Sequence, residues 1–205
     1  MSGRGETGAQ EERARRTFVA IELPDPVRRA LAEVAGELRR QWPGGSVRWV
    51  RPEGTHLTLR FLGDTDPHQV EELADGLARA AAAHQPMDLS LGAVGAFPNR
   101  RRPRVIWVGV KQGGGELAAL QRAIEELARD RGWKAEFQAF VPHLTLGRVK
   151  PRTRPPAEWG IEVPASSFRA GAVALMESLL KPTGAEYRQV FSAALGGPRA
   201  GPAAH

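Results

Sequence analysis

The chain has 205 residues, 41% of them hydrophobic and 25% charged, with 29 Lys and Arg against 23 Asp and Glu and no cysteine. That apolar content suffices for the core of one domain, and the missing cysteines exclude disulfide scaffolds, thiol nucleophiles, Cys-type zinc sites and iron–sulfur clusters. The net charge of +6 is a weak pointer to a phosphate or nucleic-acid partner. Arg outnumbers Lys 25 to 4 in a chain rich in Ala, Gly and Pro, a composition that a G+C-rich genome produces by itself.

Residues 1–15 are polar without periodicity and residues 196–205 are Gly, Pro and Ala without a core pattern, so both read as disordered tails around one domain at 16–195. The N-terminal stretch lacks the apolar segment of a signal peptide, and no apolar run reaches the ~20 residues of a membrane helix. A cytoplasmic protein with no membrane contact is expected.

Arg16 to Leu23 alternates as a strand that stops at Pro24. Asp25 is then placed to cap a helix carrying Val27, Leu31, Val34 and Leu38 at helical spacing to about Arg40. Val47 to Val50 is a short strand, and Gly54 to Gly63 a longer one. Asp66 and Pro67 open a second helix through about Ala83. Met87 to Phe97 and Arg104 to Val110 read as strands, Glu116 to Arg131 as a third helix, and Phe140 to Val149 as a further strand. Phe168 to Lys181 and Tyr187 to Leu195 close the chain as a hairpin pair. No Gly-x-Gly-x-x-Gly turn and no Walker-type lysine loop is present. Turn-linked strands at the end favour an α+β fold of mainly antiparallel sheet over a parallel one.

One tetrapeptide stands out. His56-Leu57-Thr58-Leu59 recurs letter for letter as His143-Leu144-Thr145-Leu146, each time within an expected strand. Strand side chains alternate, so in each copy His and Thr share one face and the leucines the other. A single copy is explained by a polar-faced edge strand; two copies in matched strand and helix contexts point to a duplicated architecture whose halves face a common cleft. Two imidazoles can serve as one base and one acid near neutrality, and Thr hydroxyls can hold anionic oxygens. That set suits in-line hydrolysis of a phosphodiester, with one His on each side of phosphorus. A metal site is the competing use, but Asp64 or Asp66 beside one copy gives no full ligand set, and no metal or cofactor is expected. His68, His84 and His205 receive no chemistry.

The paired motifs resemble the two-histidine phosphoesterase superfamily and, within it, the RNA 2′,3′-cyclic phosphodiesterases of bacteria and archaea, first described as 2′-5′ RNA ligases. The likeness runs from Phe18-Val-Ala-Ile-Glu-Leu-Pro24 through both motifs and Arg104-Val-Ile-Trp-Val-Gly-Val110 to Glu177 and Tyr187. It implies a bilobal fold of two pseudo-symmetric lobes with flanking helices and an active-site cleft between them. It also implies metal-free opening of a 2′,3′-cyclic phosphate at an RNA end, or on a nucleoside, to a 2′-phosphate. His56 and His143 would be the acid–base pair, with Thr58 and Thr145 holding phosphate oxygens. The alternative is an RNA-end binding or 2′-5′ joining factor using the same cleft, and a monomer is expected.

Secondary candidates follow from parity. Arg60 shares its face with Thr58 and could reach a phosphate. Arg148 lies opposite to Thr145 in a regular strand, and reaches the cleft only if a bulge falls at Gly147. Phe18 and Phe61 could stack on a base, with core packing as the plainer use, particularly for Phe61. The basic cluster Arg100–Arg102 serves equally well as an RNA-backbone contact or as a solvated turn.

Overall fold

The structure, a computed structural model, describes residues 15–181 and 184–197. Strand β1 (Arg15–Glu22) begins one residue before the expected boundary and ends ahead of Pro24. Helix α1 (Asp25–Gln41) has Pro24 at its N-cap position, and Asp25 lies in its first turn without capping it. Its Val27, Leu31, Val34 and Leu38 stripe is buried, as the spacing requires. Strand β2 (Val47–Trp49) and a 3₁₀ turn at Pro52–Gly54 lead into β3 (His56–Thr65). Helix α2 (Pro67–Ala82) opens on a capping box: the Gln69 N–H donates to the Asp66 carboxylate at 2.8 Å, and the Asp66 N–H donates to the Gln69 side-chain oxygen at 3.0 Å. Then come β4 (Met87–Phe97), β5 (Val105–Gln112), α3 (Gly114–Asp130), β6 (His143–Val149), β7 (Ser167–Ala170), β8 (Ala172–Lys181) and β9 (Gly184–Ala194).

Two expectations are corrected. Phe168 to Lys181 is not one strand: Gly171 divides it, β7 pairing with β4 and β8 pairing with β1 and β9. Gly196, assigned to the C-terminal tail, donates its N–H to the Ala81 carbonyl at 3.1 Å and so ties the end of β9 to α2. Of the other tail assignments, Arg15 lies in β1 and Gly197 follows β9, and the remainder lie outside the described residues.

All strands pair antiparallel in one sheet of order β7-β4-β5-β6-β3-β1-β8-β9, with β2 added beside β6. The order is symmetric about its middle, with β3 answering to β6, β1 to β5, β8 to β4 and β9 to β7. Each half contains the same unit, β1-α1-β3 in one lobe and β5-α3-β6 in the other. Among the described residues the motif strands of the two halves pair at one position, Leu57 opposite Leu144, both fully buried. The helices brace this seam crosswise, since α1 touches β6 and α3 touches β3. One continuous core runs from Val19 to Leu195 through both lobes. Leu59 and Leu146 join it, each fully buried leucine contributing roughly 1.5–3 kcal/mol. No described helix is long and apolar enough to cross a membrane.

The crosswise bracing uses a charge. Arg60, only 7% exposed, places its Nε 2.6 Å from the Glu125 carboxylate on α3. Its other nitrogens donate to the Lys134 carbonyl at 2.5 Å, the Phe61 carbonyl at 2.8 Å and the Glu136 carboxylate at 3.4 Å. Arg60 therefore does not reach the cleft as parity suggested. Register shows why: Ala20 pairs with Thr58 and Val19 with Arg60, so Leu59 is an extra residue that reverses the alternation after Thr58. Removing one partner of such a buried pair strands the other. Arg60→Ala is expected to lose about 3–5 kcal/mol in urea unfolding, with Arg60→Met/Glu125→Leu recovering much of it; an Arg60→Ala protein of unchanged stability contradicts this role.

Candidate active site

The Leu57–Leu144 pairing sets the site. Counting outward along the antiparallel strands brings His56 abreast of Thr145 and His143 abreast of Thr58. All four side chains are half-buried on the concave face, away from the helices, while the motif leucines are sealed in the core. The structure thus brings together the two histidines and two threonines of the repeat.

Each imidazole is held by the carbonyl two residues before it. His143 Nδ1 lies 2.8 Å from the Val141 oxygen and donates to it, leaving Nε2 for chemistry, and the Gly54 carbonyl is the backbone acceptor for the His56 ring. Burial pushes the His56 pKa down to about 4; the Gly54 carbonyl opposes the shift and the nearby Arg28 guanidinium adds to it. His143 is also lowered, mainly by burial, against the pull of the Val141 carbonyl and with a contribution from Arg148. Both histidines of the free site are therefore neutral at pH 7.

Aromatic rings pin both imidazoles, and the repeated tetrapeptide contains none of them. His56 lies between Phe18, at 4.6 Å between centroids, and Tyr187, edge-on at 4.8 Å. His143 meets Phe97 edge-on at 4.9 Å and Trp107 at 6.2 Å. Small residues make room for this. In the first lobe Phe18 and Tyr187 pack with Ala20 and Ala174 as a second, minor core on the concave face. In the second lobe a Cβ at Gly95 would run into the Trp107 ring. Phe18 is thus 2% exposed and supports His56, with no free face for a base.

Phe61 differs from expectation in the opposite sense. The extra residue at Leu59 turns it onto the concave face, where it is 58% exposed and 5.8 Å from Phe18. The second motif repeats this device: Trp107 pairs with Thr145 and Ile106 with Gly147, so the extra residue is Leu146, not Gly147. Arg148 is thereby turned to the cleft face, exposed and near enough to His143 to act on its charge. Gly147 faces the core instead, where Val47 and Trp49 close over it and leave no room for a side chain.

In the basic cluster Arg100 is a structural residue. Its guanidinium stacks 4.4 Å from the Trp159 ring centroid and donates to the Val94 and Trp159 carbonyls. Arg101 and Arg102 remain exposed on a turn whose N–H groups are capped by Asn99. His84 bonds the Ala80 carbonyl at the end of α2, His68 lies 3.9 Å from Glu72, and His205 is outside the described residues. Among the described residues no three His, Asp or Glu side chains are grouped as metal ligands.

Comparison with known proteins agrees with this geometry. The family model described as LigT-like phosphoesterase matches residues 21–107 and 108–187, one match per repeat. A Thermus thermophilus RNA 2′,3′-cyclic phosphodiesterase is 38% identical over 186 residues, covering 84% of this chain and 86% of that protein. One from Archaeoglobus fulgidus is 33% identical over 85% of this chain and 97% of its own length. Among solved structures, Escherichia coli LigT complexed with 3′-AMP superposes with a TM-score of 0.71 at 26% identity, over 89% of this chain and 98% of that one. With both repeats matched, and with a duplicated His-x-Thr site at their seam, the chain belongs to the LigT-like phosphoesterases.

Proposed function

We propose that the protein hydrolyses 2′,3′-cyclic phosphates at RNA ends, and on nucleosides, to 2′-phosphates. The observation that carries this is the antiparallel register that sets His56 beside Thr145 and His143 beside Thr58 on one concave face. A cyclic phosphate seated among these four groups has an imidazole on each side. One takes a proton from the attacking water, and the other gives a proton to the departing 3′ oxygen. The proton balance closes, because water supplies one proton to the base while the acid releases one. Thr58 and Thr145 hold the non-bridging oxygens, and Arg148 adds positive charge as negative charge builds on them. Phe61 offers the exposed ring for the terminal base. Relatives named RNA 2′,3′-cyclic phosphodiesterase at 31–38% identity support the substrate class.

The lowered histidines constrain the order of events. A site with both imidazoles neutral must acquire a proton before it has an acid, and a bound phosphate anion supplies the field that favours it. In the free protein the singly protonated form peaks between about 4, the His56 value, and the ordinary 6.5 below which His143 is shifted. The pH profile of kcat/KM is thus expected to crest in that acid window and fall toward neutrality, while the kcat profile, which reports the bound state, lies at higher pH. A kcat/KM plateau reaching above pH 8 contradicts it.

His56→Ala and His143→Ala are each expected to stay folded and to lose roughly 10²–10⁴ in kcat on a nucleoside 2′,3′-cyclic phosphate in EDTA. Full activity in either would remove the proposal. Wild-type protein that binds a cyclic-phosphate oligonucleotide without turning it over would favour the end-binding or joining alternative. Phe61→Ala should raise KM about tenfold, in the range of one lost base stack, with kcat less affected. An unchanged KM would show that the base rests elsewhere.

A further inference from the structure

Arg48 is unused by hydrolysis at a single phosphate. On β2 and β6, Arg48 stands directly opposite Arg148, and cross-strand partners share a face of the sheet. Val47 and Trp49, on either side of Arg48, pack into the core, so Arg48 projects from the other face, the one Arg148 shares with Thr145 and His143. Both arginines are exposed, and among the described residues neither has a carboxylate partner, whereas Arg28, Arg60, Arg169 and Arg188 each have one. Like charges set directly opposite destabilise a sheet. An anion between the two guanidinium groups reverses that, and their planar forks match phosphate oxygens.

Position narrows the anion. Along the concave side of β6 the order is His143, Thr145, Arg148, with Arg48 across from the last. The arginine pair therefore lies one row beyond the row of His56 and Thr145. In a chain ending in a cyclic phosphate, the next phosphate is the one on the 5′ oxygen of the same nucleotide. We infer that Arg48, together with Arg148, binds this 5′-phosphate, so that the protein discriminates RNA ends from nucleosides bearing only the cyclic phosphate. This rests on the reading of the cleft as an RNA-end phosphodiesterase site.

The test compares three probes on the same protein: adenosine 2′,3′-cyclic phosphate, its 5′-phosphorylated form, and the adenosine dinucleotide ending in a 2′,3′-cyclic phosphate. Wild-type protein should favour the second and third over the first by about tenfold in kcat/KM, the scale of a charge-assisted contact. Arg48→Gln should reduce both ratios to below about threefold, and Arg48→Lys should restore part of them. Affinity ratios for the same three probes from calorimetry should move in parallel. No preference in the wild type, or a preference that survives Arg48→Gln, overturns the inference while leaving the hydrolysis proposal standing. Failure to hydrolyse any probe overturns the hydrolysis proposal, and the calorimetric ratios then still decide the Arg48 contact.

Discussion

Everything in the site depends on one paired position, Leu57 against Leu144, at the seam of two half-sheets. Because strands alternate, two buried leucines in register commit their neighbours to the opposite face, and the two histidines and two threonines come together there. The seam is short, so it needs support from below. The helices provide it by reaching across, with Arg60 of one lobe anchored to Glu125 of the other. The geometry of the candidate site and the stability of the fold thus meet in the same few residues, one face supplying apolar burial and the other the half-buried polar groups.

The main part of this was legible in the residues. An identical tetrapeptide in two matched contexts is enough to infer two lobes, a shared cleft and the four groups in it. Hydrophobic spacing located the three α-helices of the described residues, because their apolar stripes are regular. Illegible were the two extra residues, Leu59 and Leu146. A bulge adds one residue to a strand without altering its apolar content, and it reverses every face assignment after it. Arg60, Phe61 and Arg148 all lie just beyond such a residue, which is why parity misplaced Arg60, undervalued Phe61 and left Arg148 conditional. Gly171 was missed for a similar reason, since a strand that changes neighbours keeps its alternation on both sides of the break.

The aromatic supports were illegible for another reason. The sheet's symmetry equates Trp107 with Ala20, each paired to the motif threonine, and Phe97 with Met176. The two lobes therefore brace their histidines with rings from non-equivalent positions, and no repeat marks them. The shared element is the hydrogen bond from each imidazole to the carbonyl two residues upstream, fixed by the backbone rather than by a side chain. Both histidines consequently share a backbone acceptor at the same spacing but are embedded differently.

The crossing at Gly171 has a consequence for the molecule as a whole. The repeats follow one another in the sequence, but the lobes do not: β8 and β9, from the end of the chain, complete the sheet begun by β1 and β3, while β4 to β7 fill the other lobe. One lobe thus takes its strands from both sides, in sequence, of the β4 to β7 segment that fills the other. During synthesis the strands of the inner lobe are therefore complete before β8 and β9 can close the outer one.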